Sequence, residues 1–272
     1  MRNIDNRFIQ DLLRGELSFF GDRIKKMPDV LSLAIRNGYI NIYYKGGSLL
    51  KITQRKRGYS FSFDEKYCKK KGDDSNFELF SCLRPGERDA YILHFDQMMG
   101  EMDRWFQAHP KAERDYQHQL LVNNPEIVDI EYQIGRRMRL DMLWFADGIL
   151  YIIENKYGNG AIGGKSGMSE HYKDICEILT DPQIKEEMLD SVCHISRAKK
   201  ALGLTDTCIE KSDIKGVKIL FLMANYTSKG TALSKERAKM DGSVPAGILM
   251  TSDAEVRIDL KKARNLFGEN PW

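Results

Sequence analysis

Charged residues set inside apolar runs constrain this chain more than any other feature. The run Ile149-Leu150-Tyr151-Ile152-Ile153 is bounded by Gly148 and ends in Glu154-Asn155-Lys156. An apolar, β-branched stretch between glycines predicts a strand over Ile149 to Lys156. Strand side chains alternate, so Glu154 and Lys156 project from one face. Charges at the end of so apolar a strand are costly to bury unless they pair or hold a metal. The preceding run, Arg139 to Phe145, carries Asp141 among Leu140, Met142, Leu143 and Trp144. Ala146-Asp147-Gly148 joins the two runs as a short hairpin connection. Asp141 and Glu154 can therefore face each other across it. A structural alternative is a buried ion pair, either Glu with Lys or Asp with Arg, the latter matching Asp141 to Arg139 or Arg137.

The rest of the chain predicts a mixed α/β protein. Its 272 residues, 42% hydrophobic and 30% charged, can build a core as one large domain or two small ones. Helices are expected over Asn6 to Phe20, from Glu87 to His109-Pro110, over Ala112 to Val122, from Ser169, and from Pro182 to Gly203. Tyr39 to Tyr44, Ser48 to Thr53 and Tyr59 to Phe63 predict a small antiparallel meander. Further strands are expected at Val128 to Ile134, Lys218 to Ala224, Gly247 to Thr251 and Val256 to Leu260. A β-rich N-terminal region, 1–99, would then precede a core over 100–272. No apolar run approaches the roughly 20 residues of a membrane-spanning helix. The opening Met-Arg-Asn-Ile-Asp does not read as a secretory signal. Five scattered cysteines, without Cys-x-x-Cys pairs, fit reduced thiols in a cytoplasm.

Charge is unevenly distributed. Lys45 to Lys71 holds nine basic residues against two acidic ones, a local charge of +7, which leaves −4 for the remainder of a chain whose total is +3. Arg55-Lys56-Arg57 and Lys69-Lys70-Lys71 are its densest clusters. Tyr43, Tyr44, Tyr59, Phe61, Phe63 and Tyr67 are interleaved with them. Lysine and arginine among aromatics suit a phosphate backbone and exposed bases. The alternative is a solvated hairpin whose aromatics are core and whose lysines guard the strand edges.

Two hard carboxylates facing each other suit Mg²⁺, which takes oxygen ligands and keeps several waters. A lysine beside them can orient a water or neutralise charge on a phosphate. Arg139-Leu140-Asp141, Asp147-Gly148 and Ile152-Ile153-Glu154-Asn155-Lys156 together resemble the core motif of the PD-(D/E)XK nuclease superfamily, with its restriction-endonuclease-like fold of a mixed sheet flanked by helices. The resemblance covers about 112–224. It implies a metal-dependent nuclease that hydrolyses phosphodiester bonds with a Mg²⁺-activated water, Mn²⁺ serving as a substitute. Asp141 and Glu154 would be the metal-binding acids, the Asn155 backbone carbonyl a further ligand, and Lys156 the lysine that helps activate water. Glu113, with Gln117 one turn later, matches a glutamate that family members often place on the helix before the sheet. Tyr172 matches a tyrosine on the following helix that touches the substrate or site. Glu170 and His171 stand where the family more often has glutamine. The chain also departs from the family in its polar Asn155 and in Leu140, where a proline is frequent. The implied partner is nucleic acid, DNA before RNA, contacted by Arg55, Lys56, Arg57, Lys69, Lys70, Lys71, Tyr172 and Lys173; such folds often act as homodimers.

Two other functions are compatible with these residues. One is a catalytically inactive nucleic-acid-binding or assembly protein on the same fold. The other is nucleotide binding, because Gly163-Gly164-Lys165-Ser166 between a strand and a helix has the character of a P-loop. The spacing of that motif, however, puts Asn159 where its first glycine belongs.

Overall fold

The computed structural model describes residues 2–68, 77–134, 138–164, 167–227 and 231–268. The chain divides into two compact units, one of residues 1–118 with 197–206 and the other of 119–196 with 207–272. The division falls later than the expected boundary at residue 100. The helix carrying Met98, Met102 and Phe106 packs within the first unit, so it forms no part of the second.

The first unit opens with α1 (Asn6–Arg14) and α2 (Ser18–Lys26), where the sequence predicts one helix. The break lies at Gly15, whose backbone approaches Asp11 so closely that an added Cβ would stand 2.3 Å from its Oδ1. An antiparallel meander follows in the order β1 (Leu31–Arg36), β2 (Tyr39–Tyr44), β3 (Gly47–Gln54) and β4 (Tyr59–Ser62). The helices α3 (Phe77–Cys82), α4 (Arg88–Leu93) and α5 (Phe95–Ala108) come next. The segment from Glu87 is thus two helices, parted at His94. The helix α6 (Ala112–Asn123) spans the division between the units.

All six interleaved aromatics are buried in this first unit: Tyr43, Tyr44, Tyr59, Phe61, Phe63 and Tyr67. Phe61 stacks on Tyr91, and the Tyr59 hydroxyl donates to Asp11 at 2.7 Å. Apolar burial of this kind drives folding and leaves no ring free to stack on a base. Arg55, Lys56 and Arg57 instead sit exposed at the β3–β4 turn. Lys69, Lys70 and Lys71 lie outside the described residues.

The second unit is built on a six-stranded mixed sheet of order β10-β9-β8-β7-β6-β5. Its strands are β5 (Ile127–Ile134), β6 (Met138–Ala146), β7 (Ile149–Tyr157), β8 (Gly216–Ala224), β9 (Ala246–Thr251) and β10 (Arg264–Asn265). The first three form an antiparallel meander, while β8 and β9 run parallel to β7. Two helices, α7 (Met168–Thr180) and α8 (Pro182–Ala201), intervene before β8, and the short α9 (Ala232–Arg237) precedes β9. This is an α/β unit whose strands β7 and β8 are nearly continuous apolar runs, as expected of strands covered on both faces.

The expected strand over Val256 to Leu260 does not form. The buried side chain of Asn124 binds that segment instead, donating to the Val256 carbonyl at 2.8 Å and accepting from Ile258 N–H at 2.9 Å. The edge strand β10 forms farther along, pairing with Ile248 and Gly247.

Among the described residues no helix is long and apolar enough to cross a membrane. All five cysteines carry free thiols.

Candidate active site

Register brings the acids together. Ala146 pairs with Ile149 across the two-residue turn Asp147-Gly148, both at positive φ of 51° and 78°. A two-residue turn with both φ positive matches the twist of the strands it joins. The ladder then runs back to Met142 opposite Ile153, and its next step sets Asp141 opposite Glu154 on one face of the sheet. The backbone N–H of Asn155 donates to Asp141 Oδ2 at 2.9 Å and holds that carboxylate against β7. Glu154 is fully buried and Lys156 nearly so, with Nζ 3.6 Å from Glu154 Oε2.

A helix completes the cluster. His171, in the first turns of α7, places Nδ1 2.8 Å from the same Oε2. The two groups approach closely but lack the alignment of a hydrogen bond, so among the described residues neither oxygen of Glu154 has a hydrogen-bond partner. A buried carboxylate with both oxygens in that state is expensive, and such groups call for a specific explanation. Asp141, beside it, is only partly exposed and keeps one hydrogen bond, from the Asn155 N–H. Burial, reinforced by the negative charge of Glu154, pushes its carboxyl up to about 7, against the opposing pull of Lys156, the Asn155 N–H and His171. A strongly perturbed acid next to a specific charge partner is a candidate for a functional site.

The arrangement can do two chemical things. Two opposed carboxylates, one with unclaimed oxygens, fit a hard divalent cation whose remaining positions are filled by water or a backbone carbonyl. Among the described residues no three His, Cys, Asp or Glu side chains are grouped so as to hold a metal by themselves. Any ion here would therefore rest on the acid pair. Lys156, beside them, supplies a positive charge that a phosphate or a developing oxyanion can use.

The other expected site residues lie elsewhere. Tyr172 is buried, and its hydroxyl both donates to the Val244 carbonyl and accepts from the Val244 N–H, each at 2.9 Å. It anchors the segment before β9, with Phe267 packed edge-on to its ring at 5.4 Å. Lys173 is exposed on α7. Glu113 is exposed in the first turn of α6 and belongs to the first unit, whereas the acid pair belongs to the second. The Asn155 side chain points to the face opposite Glu154, and both of its polar atoms are buried without a partner. His171 is the neighbour that strand periodicity could not supply. Its signal in the sequence was a titratable residue, next to Tyr172, on the first helix after the lysine strand.

The glycine-rich loop also has a defined neighbour. The first turn of α7 receives the Glu236 carboxylate, which accepts from Ser169 N–H at 3.2 Å and from Ser169 Oγ at 2.5 Å. The end of the helix that a bound phosphate would occupy in a P-loop is thus supplied with an anion from the chain itself. Lys165 and Ser166 lie outside the described residues.

No protein-family model, no curated protein and no solved structure matches the chain.

Proposed function

We propose that the second unit is a metal-dependent nuclease centre of the PD-(D/E)XK kind, hydrolysing phosphodiester bonds of nucleic acid, with DNA the favoured substrate. One observation carries this reading. Asp141 on β6 stands against Glu154 and Lys156 at the end of β7, and both buried oxygens of Glu154 lack hydrogen bonds among the described residues. An antiparallel hairpin followed by parallel strands supports a restriction-endonuclease-like arrangement. Asp141 and Glu154 would hold the ion, Mg²⁺ or in its place Mn²⁺, with the Asn155 carbonyl as a further ligand. When bound, such an ion supplies positive charge to the phosphoryl group and makes water more acidic. The residues of the chain do the rest. The Asn155 N–H orients Asp141, and Lys156 faces the negative charge that builds up as a phosphodiester is attacked. The exposed Arg55, Lys56 and Arg57 offer positive charge to a phosphate backbone.

Plasmid, single-stranded DNA and RNA incubated with the protein in Mg²⁺ or Mn²⁺ provide the test. Metal-dependent cleavage is expected, and Asp141→Ala, Glu154→Ala and Lys156→Ala should each abolish it while circular dichroism shows an intact fold. Cleavage that survives all three substitutions refutes the assignment.

A second reading is a nucleic-acid-binding or assembly protein on the same fold that has lost its chemistry. It is favoured by the complete burial of Glu154 beside Lys156, an arrangement that an ion pair alone would explain. Binding without cleavage, insensitive to metal, would establish it.

A further inference from the structure

We propose that His171 is a positioning residue for Glu154, selecting which oxygen of that carboxylate is offered to a divalent cation; the inference rests on the metal-dependent reading of the site given above. His171 Nδ1 and Lys156 Nζ stand 2.8 Å and 3.6 Å from one and the same atom, Glu154 Oε2. Neither oxygen of Glu154 has a hydrogen bond among the described residues, and the two basic side chains make their nearest approach to Oε2. Two side chains set against one oxygen oppose rotation of the carboxylate about its terminal bond and so fix which oxygen is turned toward an arriving ion.

Each group reaches Oε2 from a different element. Lys156 comes from the same strand, two residues on, and His171 from α7. Lysine alone is a flexible point charge on a four-carbon stem and could swing to chelate both oxygens. The imidazole is rigid. It is also held on a long helix that is tied at its first turn by Glu236 and by the Tyr172 hydroxyl just after it. The side chain of His171 is 22% exposed against 0% for Glu154. It is therefore the more solvent-accessible member of the pair.

Residues that orient a metal ligand from behind typically cost about 10–100-fold in metal affinity when removed. Calorimetric titration of Mn²⁺ into the metal-free protein reads this directly, without substrate or turnover. Against the wild type, His171→Ala should weaken Mn²⁺ binding by about 10-fold or more. His171→Asn, whose amide nitrogen falls near the place of Nδ1, should restore most of the affinity. His171→Gln, whose amide reaches farther, should restore less. Asp141→Ala should remove binding altogether.

Equal affinities for wild type and His171→Ala, with binding lost in Asp141→Ala, overturn the role of His171 and leave the metal site standing. Binding that Asp141→Ala does not disturb, or no binding by the wild type, overturns the metal site itself. If His171→Ala does not fold, the order of Asn above Gln decides the matter, because loss of packing alone would not rank the two amides that way.

Discussion

Replacing Asp141 by asparagine should stabilise the metal-free protein at alkaline pH while destroying its proposed function. The Asp141 carboxyl is pushed up to about 7 by burial and by Glu154, against an ordinary value of 3.8. A folded-state value above the unfolded one means that stability is greatest below pH 3.8, declines as pH rises through 7, and is level beyond. At 1.36 kcal/mol per unit, charging this group at pH 8 costs about 4 kcal/mol. Asparagine avoids that cost and still accepts from the Asn155 N–H, but brings an amide NH₂ whose burial without a partner costs about 1–2 kcal/mol. The net gain is about 2–3 kcal/mol, or about 4–12 °C in Tm at 2–4 °C per kcal/mol. At pH 5 the folded aspartate is largely protonated but the unfolded one is charged, so about 1.6 kcal/mol of that cost is already present; it offsets the cost of the amide, and the two proteins should melt within a degree or two. Thermal melts followed by circular dichroism in chelator, at pH 5 and pH 8, measure both values. A variant no more stable than the wild type at pH 8, or one equally stabilised at both pH values, refutes the argument. Mn²⁺ should then raise the Tm of the wild type and leave that of Asp141→Asn unmoved.

Asn155→Val removes two buried polar atoms that have no partner and puts a β-branched side chain into a strand; chemical denaturation should show a gain of about 1–3 kcal/mol, with metal binding retained through the unchanged backbone carbonyl. Tyr172→Phe loses both hydrogen bonds to Val244 and should cost about 1–2 kcal/mol in the same assay, and it should weaken Mn²⁺ binding far less than His171→Ala does, because Glu236 still holds the first turn of α7. Joint replacement of Arg55, Lys56 and Arg57 by alanine should leave the Tm within a degree or two. If these residues bind phosphates, it should flatten the dependence of nucleic-acid affinity on salt, by up to about one unit of slope for each phosphate no longer neutralised.

The strand hairpin was legible because its signals are local. Alternation sets the face of each side chain, and Asp147-Gly148 sets the turn, so the pairing of Asp141 with Glu154 follows from counting. Three features were not legible for the opposite reason. The approach of His171 to Glu154 depends on how α7 lies against the sheet, which helical periodicity does not specify. The segment Val256 to Leu260 has the composition of a strand, but Asn124, far away in sequence, takes its backbone groups. The aromatics between Tyr43 and Tyr67 have the composition of a nucleic-acid surface. Their burial was decided by α4 and α5, whose Tyr91, Trp105 and Phe106 pack against Phe61 and Tyr67.

The two-residue turn between β6 and β7 has a consequence for how sites of this kind can vary between proteins. Residues paired across such a turn are always an odd number of positions apart, so lengthening the hairpin changes the interval between the acids by two at a time. An insertion of one residue in either strand turns every subsequent side chain to the other face and would exchange Glu154 for a neighbour. The interval between the acids is therefore quantised. Chains that set two acids face to face across this turn should be sought among the odd spacings alone, whatever else in their sequences has changed.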